Sequence, residues 1–301
     1  MNEAPIRRRL FQTDFSMIWR NGKELTKIRL SLSVVFSSVA GYLLGATIID
    51  YSELTWLAVG GYCMVGASNV FNQIIERDLD ALMKRTMNRP IPKGRVSVND
   101  AFALACVLTI SGLIILYNIN PKTAMFGAVS IFLYTCVYTP LKTKTSLSVL
   151  VGAIPGAIPF MLGWVAATND FDIEPGILFI IQFFWQFPHF WSIAWFLHDD
   201  YQKAGFKMLP TEKPDKASAA QIIFYSFWTV VVSILPVFGI TGKLTLSITG
   251  AIIIGIFGVI LTYFAIRLFS VKTSNAAKKL LLISVLYITF LQIVYVVDKF
   301  L

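Results

Sequence analysis

Apolar stretches long enough to cross a bilayer recur along the whole chain, separated by short polar connectors. They fall near residues 28–48, 54–75, 100–119, 122–141, 147–168, 175–197, 219–240, 246–269 and 278–297, each close to the ~20 residues a membrane helix needs. A polar segment, 1–27, precedes the first. The pattern predicts an all-α membrane protein of nine transmembrane helices, read as one integral domain over 1–301, with a central cavity open to the cytoplasmic side. Lysine and arginine sort by connector. Counted with the N-terminus inside, 23 of the 26 lie on one side and only Lys122, Lys243 and Lys299 on the other. By the positive-inside rule the N-terminus is cytoplasmic and the C-terminus outside.

Composition agrees with the pattern and removes whole classes. The chain is 56% hydrophobic and 14% charged, with a mean hydropathy of +0.67, against about 25% charged in soluble domains. The net charge of +9 reflects that sorting, so the expected partner is the lipid bilayer and not nucleic acid. Cys63, Cys106 and Cys136 sit in apolar spans without paired spacing, which indicates neither a disulfide framework nor a zinc site. The leader, with Arg7, Arg8 and Arg9 before Leu10, Phe15, Ile18 and Trp19, reads as a basic anchor or a surface-lying helix.

The hydrophobic pattern breaks most sharply at the end of the second span. Asn72, Glu76 and Asp80 recur at four-residue intervals, which places them on one slowly drifting helix face. Lys84, Arg85, Arg89, Lys93 and Arg95 follow at once. A solvated loop is the ordinary reading of such charge, but these acids begin inside the apolar span, where an unpaired carboxylate is costly. A second acidic end, Asp199 and Asp200, closes the sixth span, and the recurrence suggests two four-helix halves plus a ninth helix. Pro155 and Pro159, with Gly152, Gly156 and Gly163, interrupt the fifth span. Gln186 and His189 flank Pro188 in the sixth and are expected to face inward.

Hard oxygen donors in register suit Mg2+, which is usually held by one or two carboxylates together with substrate phosphates. Cations beside them suit the phosphates themselves. An acid-and-cation mouth above an aromatic, apolar interior therefore implies a substrate with a diphosphate head and a hydrocarbon tail, whose ionisation needs its leaving group neutralised. On this reading Glu76 and Asp80 hold one Mg2+, Asp199 and Asp200 contribute to a second, and Lys84, Arg85, Arg89 and Lys142 bind the diphosphate.

The run Asn72 to Asp80, followed by Lys84-Arg85-Thr86 and Asn88-Arg89-Pro90, resembles the first acidic motif of the UbiA-type intramembrane prenyltransferases. Within that superfamily, Tyr138 to Lys142, Gly152 to Trp164, Gln186 to Trp191 and Asp199 to Gly205 resemble the protoheme IX farnesyltransferase family. The resemblance implies a UbiA-type bundle and Mg2+-dependent transfer of the farnesyl group of farnesyl diphosphate to the 2-vinyl group of haem B, with water added. Haem O for terminal oxidases and diphosphate result, and a haem A synthase is the implied downstream partner. It also implies a bacterial inner-membrane location, catalytic roles for Asn72, Glu76, Asp80 and Lys142, and substrate contacts from Tyr138, Gln186, His189 and Lys203. Glu76 stands where the motif usually has aspartate, which shifts that carboxylate by a methylene. Two other readings remain: prenylation of an aromatic quinone precursor, and secondary transport of a charged solute.

Overall fold

The computed structural model describes residues 16–301, so Arg7, Arg8, Arg9, Leu10 and Phe15 of the expected surface leader lie outside the described residues. Ile18 and Trp19 are exposed on a helix over 16–25. Nine helices long and apolar enough to span a membrane follow among the described residues. They are α1 (Ile28–Gly45), α2 (Tyr51–Ile75), α3 (Val98–Ile119), α4 (Pro121–Leu141), α5 (Ser148–Thr168), α6 (Ile173–Phe196), α7 (Lys216–Phe238), α8 (Ile248–Val271) and α9 (Ser274–Phe300).

Six of these helices begin at a capping side chain. Asp50, Ser97, Asn120, Asp215, Ser247 and Thr273 each accept a backbone N–H of the first turn, which satisfies donors left open at a helix start. This is why α9 begins at Ser274, four residues ahead of the apolar window. Lys278 and Lys279 lie inside its first turns, where long stems let the charge reach the membrane surface.

Consecutive helices are neighbours throughout, and α1 also packs on α5 while α6 packs on α9. The helices thus form a five-membered ring, α1–α5, joined to a four-membered ring, α6–α9, through α5 against α6 and α9 against α1. This differs from the expected four-plus-four division with a spare ninth helix. The reason lies in α5, whose sequence of Gly, Ala and Pro allows close approach on both sides. It is the most buried span, 78% of its apolar window against 17% for α3. Where α1 crosses it, a Cβ on Gly163 would overlap the carbonyl of Ser38, and one on Gly41 the carbonyl of Phe160. Gly163→Val is expected to destabilise the protein by several kcal/mol, since overlap with backbone cannot be relieved by a rotamer change. A thermal melt in detergent within a degree or two of wild type would contradict this packing.

The prolines of α5 open its hydrogen-bond ladder toward the interior. Pro159 has no N–H for the carbonyl of Pro155, which instead accepts from Ser130 Oγ at 3.4 Å. The side chain of Gln186 donates to the carbonyl of Gly156 at 2.9 Å and fills the space a Cβ there would take. In α4, residues Leu133–Tyr138 form a π-helical turn, a feature often found at functional sites. It brings Tyr134 and Tyr138 to the interior, with Lys142 just beyond.

Candidate active site

α2 runs toward one membrane face with Val65, Ser68, Asn69, Asn72 and Glu76 along a single side, and a short helix, Arg77–Leu82, continues to Asp80. These residues line a cavity of about 600 Å³ enclosed by α1, α2, α4, α5, α6 and α9, a size in the range of small-molecule sites. Thr86 ties the following loop back by donating its hydroxyl to the Asp80 carbonyl at 2.9 Å. The loop then returns Arg89 to the Asp80 carboxylate, Nη1 to Oδ2 at 2.6 Å. From the opposite wall, Lys142 Nζ reaches Glu76 Oε1 at 2.7 Å. It also lies 4.6 Å from the ring centre of Tyr138 and 5.7 Å from that of Phe206.

Two acid–cation pairs thus stand side by side at the cavity mouth, and both are withdrawn from water. Glu76 is 4% exposed, Asp80 0% and Lys142 8%. Burial pushes the Asp80 carboxyl up from the usual range, and Arg89 only partly opposes this. Burial, the largest single influence, pulls the Lys142 ammonium down, but the Glu76 carboxylate together with Tyr134 and Tyr201 holds the lysine above its ordinary value. Asp80 Oδ1 is buried with no hydrogen-bond partner. Such an atom is expensive in a finished core. It is an acceptor free for a further partner, and Glu76 and the Asn72 side chain, oriented by its bond to Thr139 Oγ1 at 3.3 Å, add oxygen donors of the kind that fit Mg2+. Among the described residues no three acidic, histidine or cysteine side chains gather as a metal site, so these side chains alone would not complete a metal's coordination.

The second expected metal pair is not assembled. Asp199 is exposed and outside the cavity lining. Asp200 accepts the backbone N–H of Arg85 at 3.3 Å and pairs with Lys203 at 3.4 Å, so it ties the loop after α6 to the loop after α2. Lys203 and Lys84 are exposed and also lie outside the lining. Arg85, Arg89, Tyr138, Gln186 and His189 do line the cavity. His189 Nδ1 is 3.1 Å from Ser284 Oγ, and its ring stacks on Trp185 at 4.5 Å, which presents Nε2 as the ring's remaining polar atom.

Sequence reasoning missed Lys27, Tyr134, Tyr201 and Phe206, all in the lining. Lys27 was counted with the leader charges, yet it sits in the left-handed region (φ 47°) at the start of α1 and is half-buried, with no ion pair to an acidic side chain among the described residues. Burial, Arg89 and Lys142 push its pKa down to about 7. The free site therefore holds this cation below about pH 7 and loses it above, whereas a bound anion would restore the proton. Binding of a diphosphate is expected to weaken as pH rises, with KM climbing by up to about tenfold per pH unit. Lys27→Arg should flatten that rise relative to wild type, and parallel profiles for the two proteins would exclude Lys27 from anion binding.

The bundle and its mouth define an intramembrane prenyltransferase: the chain matches the UbiA prenyltransferase family over residues 34–291 and belongs to it. It is 67% identical over 278 residues to the protoheme IX farnesyltransferase of Christiangramia forsetii, covering 92% of this chain and 93% of that protein. With the protoheme IX farnesyltransferase of Flavobacterium psychrophilum it shares 64% over 287 residues, covering 94% and 96%. Among solved structures, a digeranylgeranylglyceryl phosphate synthase superposes with a TM-score of 0.77 at 18% identity, over 93% of this chain and 98% of that one. A UbiA homologue from Archaeoglobus fulgidus bound to GPP and Mg2+ gives 0.67 at 16% identity, over 91% and 99%.

Proposed function

We propose that the protein transfers the farnesyl group of farnesyl diphosphate to the 2-vinyl group of haem B, with addition of water, to give haem O and diphosphate. The observation that carries this reading is the pairing of Glu76 with Lys142 and Asp80 with Arg89 at the mouth of one apolar, aromatic-lined cavity. The similarity to curated farnesyltransferases along nearly the whole chain supports haem as the acceptor. The sorting of lysine and arginine supports a cytoplasmic mouth in a bacterial inner membrane.

Glu76 and Asp80, with Asn72, would hold Mg2+, which when bound neutralises charge on the diphosphate leaving group. Lys27, Arg85, Arg89 and Lys142 line the same mouth and are placed to donate to the diphosphate oxygens, so negative charge that develops as the C1–O bond breaks meets fixed cations in a site of low dielectric. Tyr134, Tyr138 and Phe206 line the same cavity, and their ring faces can stabilise the positive charge of the allylic cation left behind. The terminal carbon of the vinyl group supplies the electron pair of the new bond to C1. The positive charge then moves to the carbon next to the porphyrin, where water adds and releases one proton. Gln186 and His189, held by Gly156 and Ser284, supply polar atoms inside an otherwise apolar chamber and are placed to orient the acceptor.

Purified protein in nanodiscs, given farnesyl diphosphate and haem B, should form haem O with Mg2+ and lose more than about 100-fold of its rate when EDTA replaces the metal. Undiminished haem O formation in EDTA, with metal analysis confirming removal, would overturn the assignment of Glu76 and Asp80.

A further inference from the structure

Beside the cavity lies a small apolar recess of about 40 Å³ between α1, α2, α3, α4 and α5. The two spaces share Val34, Val65, Ser68, Ser130 and Pro159 in their walls, so these side chains alone stand between them. Gly61, Met64, Leu116, Gly127 and Leu162 line the recess and not the larger cavity. Nothing polar in it needs a partner, and the transfer chemistry at the mouth makes no use of it.

Its depth and size can be compared with a prenyl chain. Met64 precedes Glu76 by twelve residues on nearly continuous helix, which at 1.5 Å per residue places it about 18 Å below the acidic pair. A farnesyl group has about twelve carbons in line, each advancing about 1.25 Å for bonds of about 1.5 Å, so it reaches about 15 Å from C1. With C1 a few ångströms below the carboxylates, the chain ends at the level of Met64. A chain one isoprene unit shorter ends near Ser68, above the recess, and one unit longer runs into its closed wall. By the measure in which one water needs about 10–15 Å³, a 40 Å³ space holds about three heavy atoms. That is the size of the branched dimethyl end of the chain.

We propose that this recess is the end-stop that selects a fifteen-carbon donor, with Gly61 and Met64 as its specificity determinants. The inference rests on the reading that the cavity holds farnesyl diphosphate. Gly61 is the position to fill, because a Cβ there meets only Val35, at 3.8 Å. Met64 is the position to shorten. Its sulfur lies where a Cβ on Gly112 would be, 2.8 Å away, so it is packed against α3 and forms a rigid floor.

The test measures binding of the thiodiphosphate analogues of geranyl, farnesyl and geranylgeranyl diphosphate with Mg2+, and turnover of the three natural donors with haem B, in wild type, Gly61→Ala, Gly61→Leu and Met64→Ala. Gly61→Leu is expected to weaken the farnesyl analogue by about tenfold to 100-fold, the range for a lost fit of one or two carbons, and to leave the geranyl analogue within about twofold. Gly61→Ala, which the structure accommodates, shifts the same ratio by a smaller factor, so the proposal stays testable if the leucine variant fails to fold. Met64→Ala is expected to improve the geranylgeranyl analogue by about tenfold. If folded Gly61→Ala and Met64→Ala proteins keep the wild-type order of the three chains, the recess is not the end-stop. If the chain-length order moves as expected while haem B is left unmodified, the end-stop stands and the acceptor assignment fails.

Discussion

Asp80→Asn is expected to abolish transfer, with kcat reduced by about 1,000-fold or more while the protein remains folded. Asparagine keeps the shape and can still accept from Arg89, so the change removes charge without opening a void. What is lost is the orphaned carboxylate oxygen at the mouth, the atom with no role in holding the fold together. A 1,000-fold loss corresponds to about 4 kcal/mol of transition-state stabilisation, within the range for removing one preorganised electrostatic group. Arg89, no longer neutralised at 2.6 Å, remains to bind diphosphate, so KM for the donor should change far less than kcat. The split is the diagnostic. A variant with normal kcat and raised KM would make Asp80 a partner for Arg89 only.

Lys142→Met is expected to damage both stability and rate. Removing one member of a buried pair leaves Glu76 uncompensated, which costs about 3–5 kcal/mol, and it removes a cation from the diphosphate site. The two effects separate in the double variant Glu76→Gln/Lys142→Met. It should recover most of the lost thermal stability, because neither side chain then carries a buried charge, yet remain at least about 100-fold slower than wild type. Full recovery of turnover in the double variant would show that the pair serves the fold alone. The same geometry explains Glu76 at a position where aspartate is usual. The glutamate spans to Lys142 at 2.7 Å across the mouth from the end of α2, and Glu76→Asp should lose that contact by withdrawing the carboxylate one methylene.

Much of this was legible in the sequence because membrane helices write their length and their interruptions directly into hydropathy. The nine spans, the acidic face Asn72–Glu76–Asp80 and the inward Gln186 and His189 all follow from period and position. Four parts were not legible. The partner of Glu76 lies 66 residues away, on a wall whose approach depends on the π-helical turn Leu133–Tyr138, and no local pattern announces that turn. Lys27 looked like one more leader charge, since only the left-handed turn before α1 brings it into the cavity. Asp199 and Asp200 matched the first acidic motif in composition. In the structure Asp200 accepts from a loop amide and Asp199 is exposed, and sequence does not distinguish a carboxylate that binds metal from one that binds backbone. The division of the bundle after α5 was hidden for a similar reason: it follows from a close crossing at Gly41 and Gly163, and small residues alone do not name their partner.

The most direct test of farnesyl transfer to haem is a competition. Purified protein in nanodiscs would receive isotopically labelled farnesyl diphosphate and Mg2+ with equal concentrations of haem B and an aromatic quinone precursor, and the products would be separated by chromatography and weighed by mass spectrometry. The expected result is label only in a haem product heavier than haem B by one farnesyl group and one hydroxyl, absent from Asp80→Asn. Label in the quinone precursor with haem B returned intact would contradict the assignment.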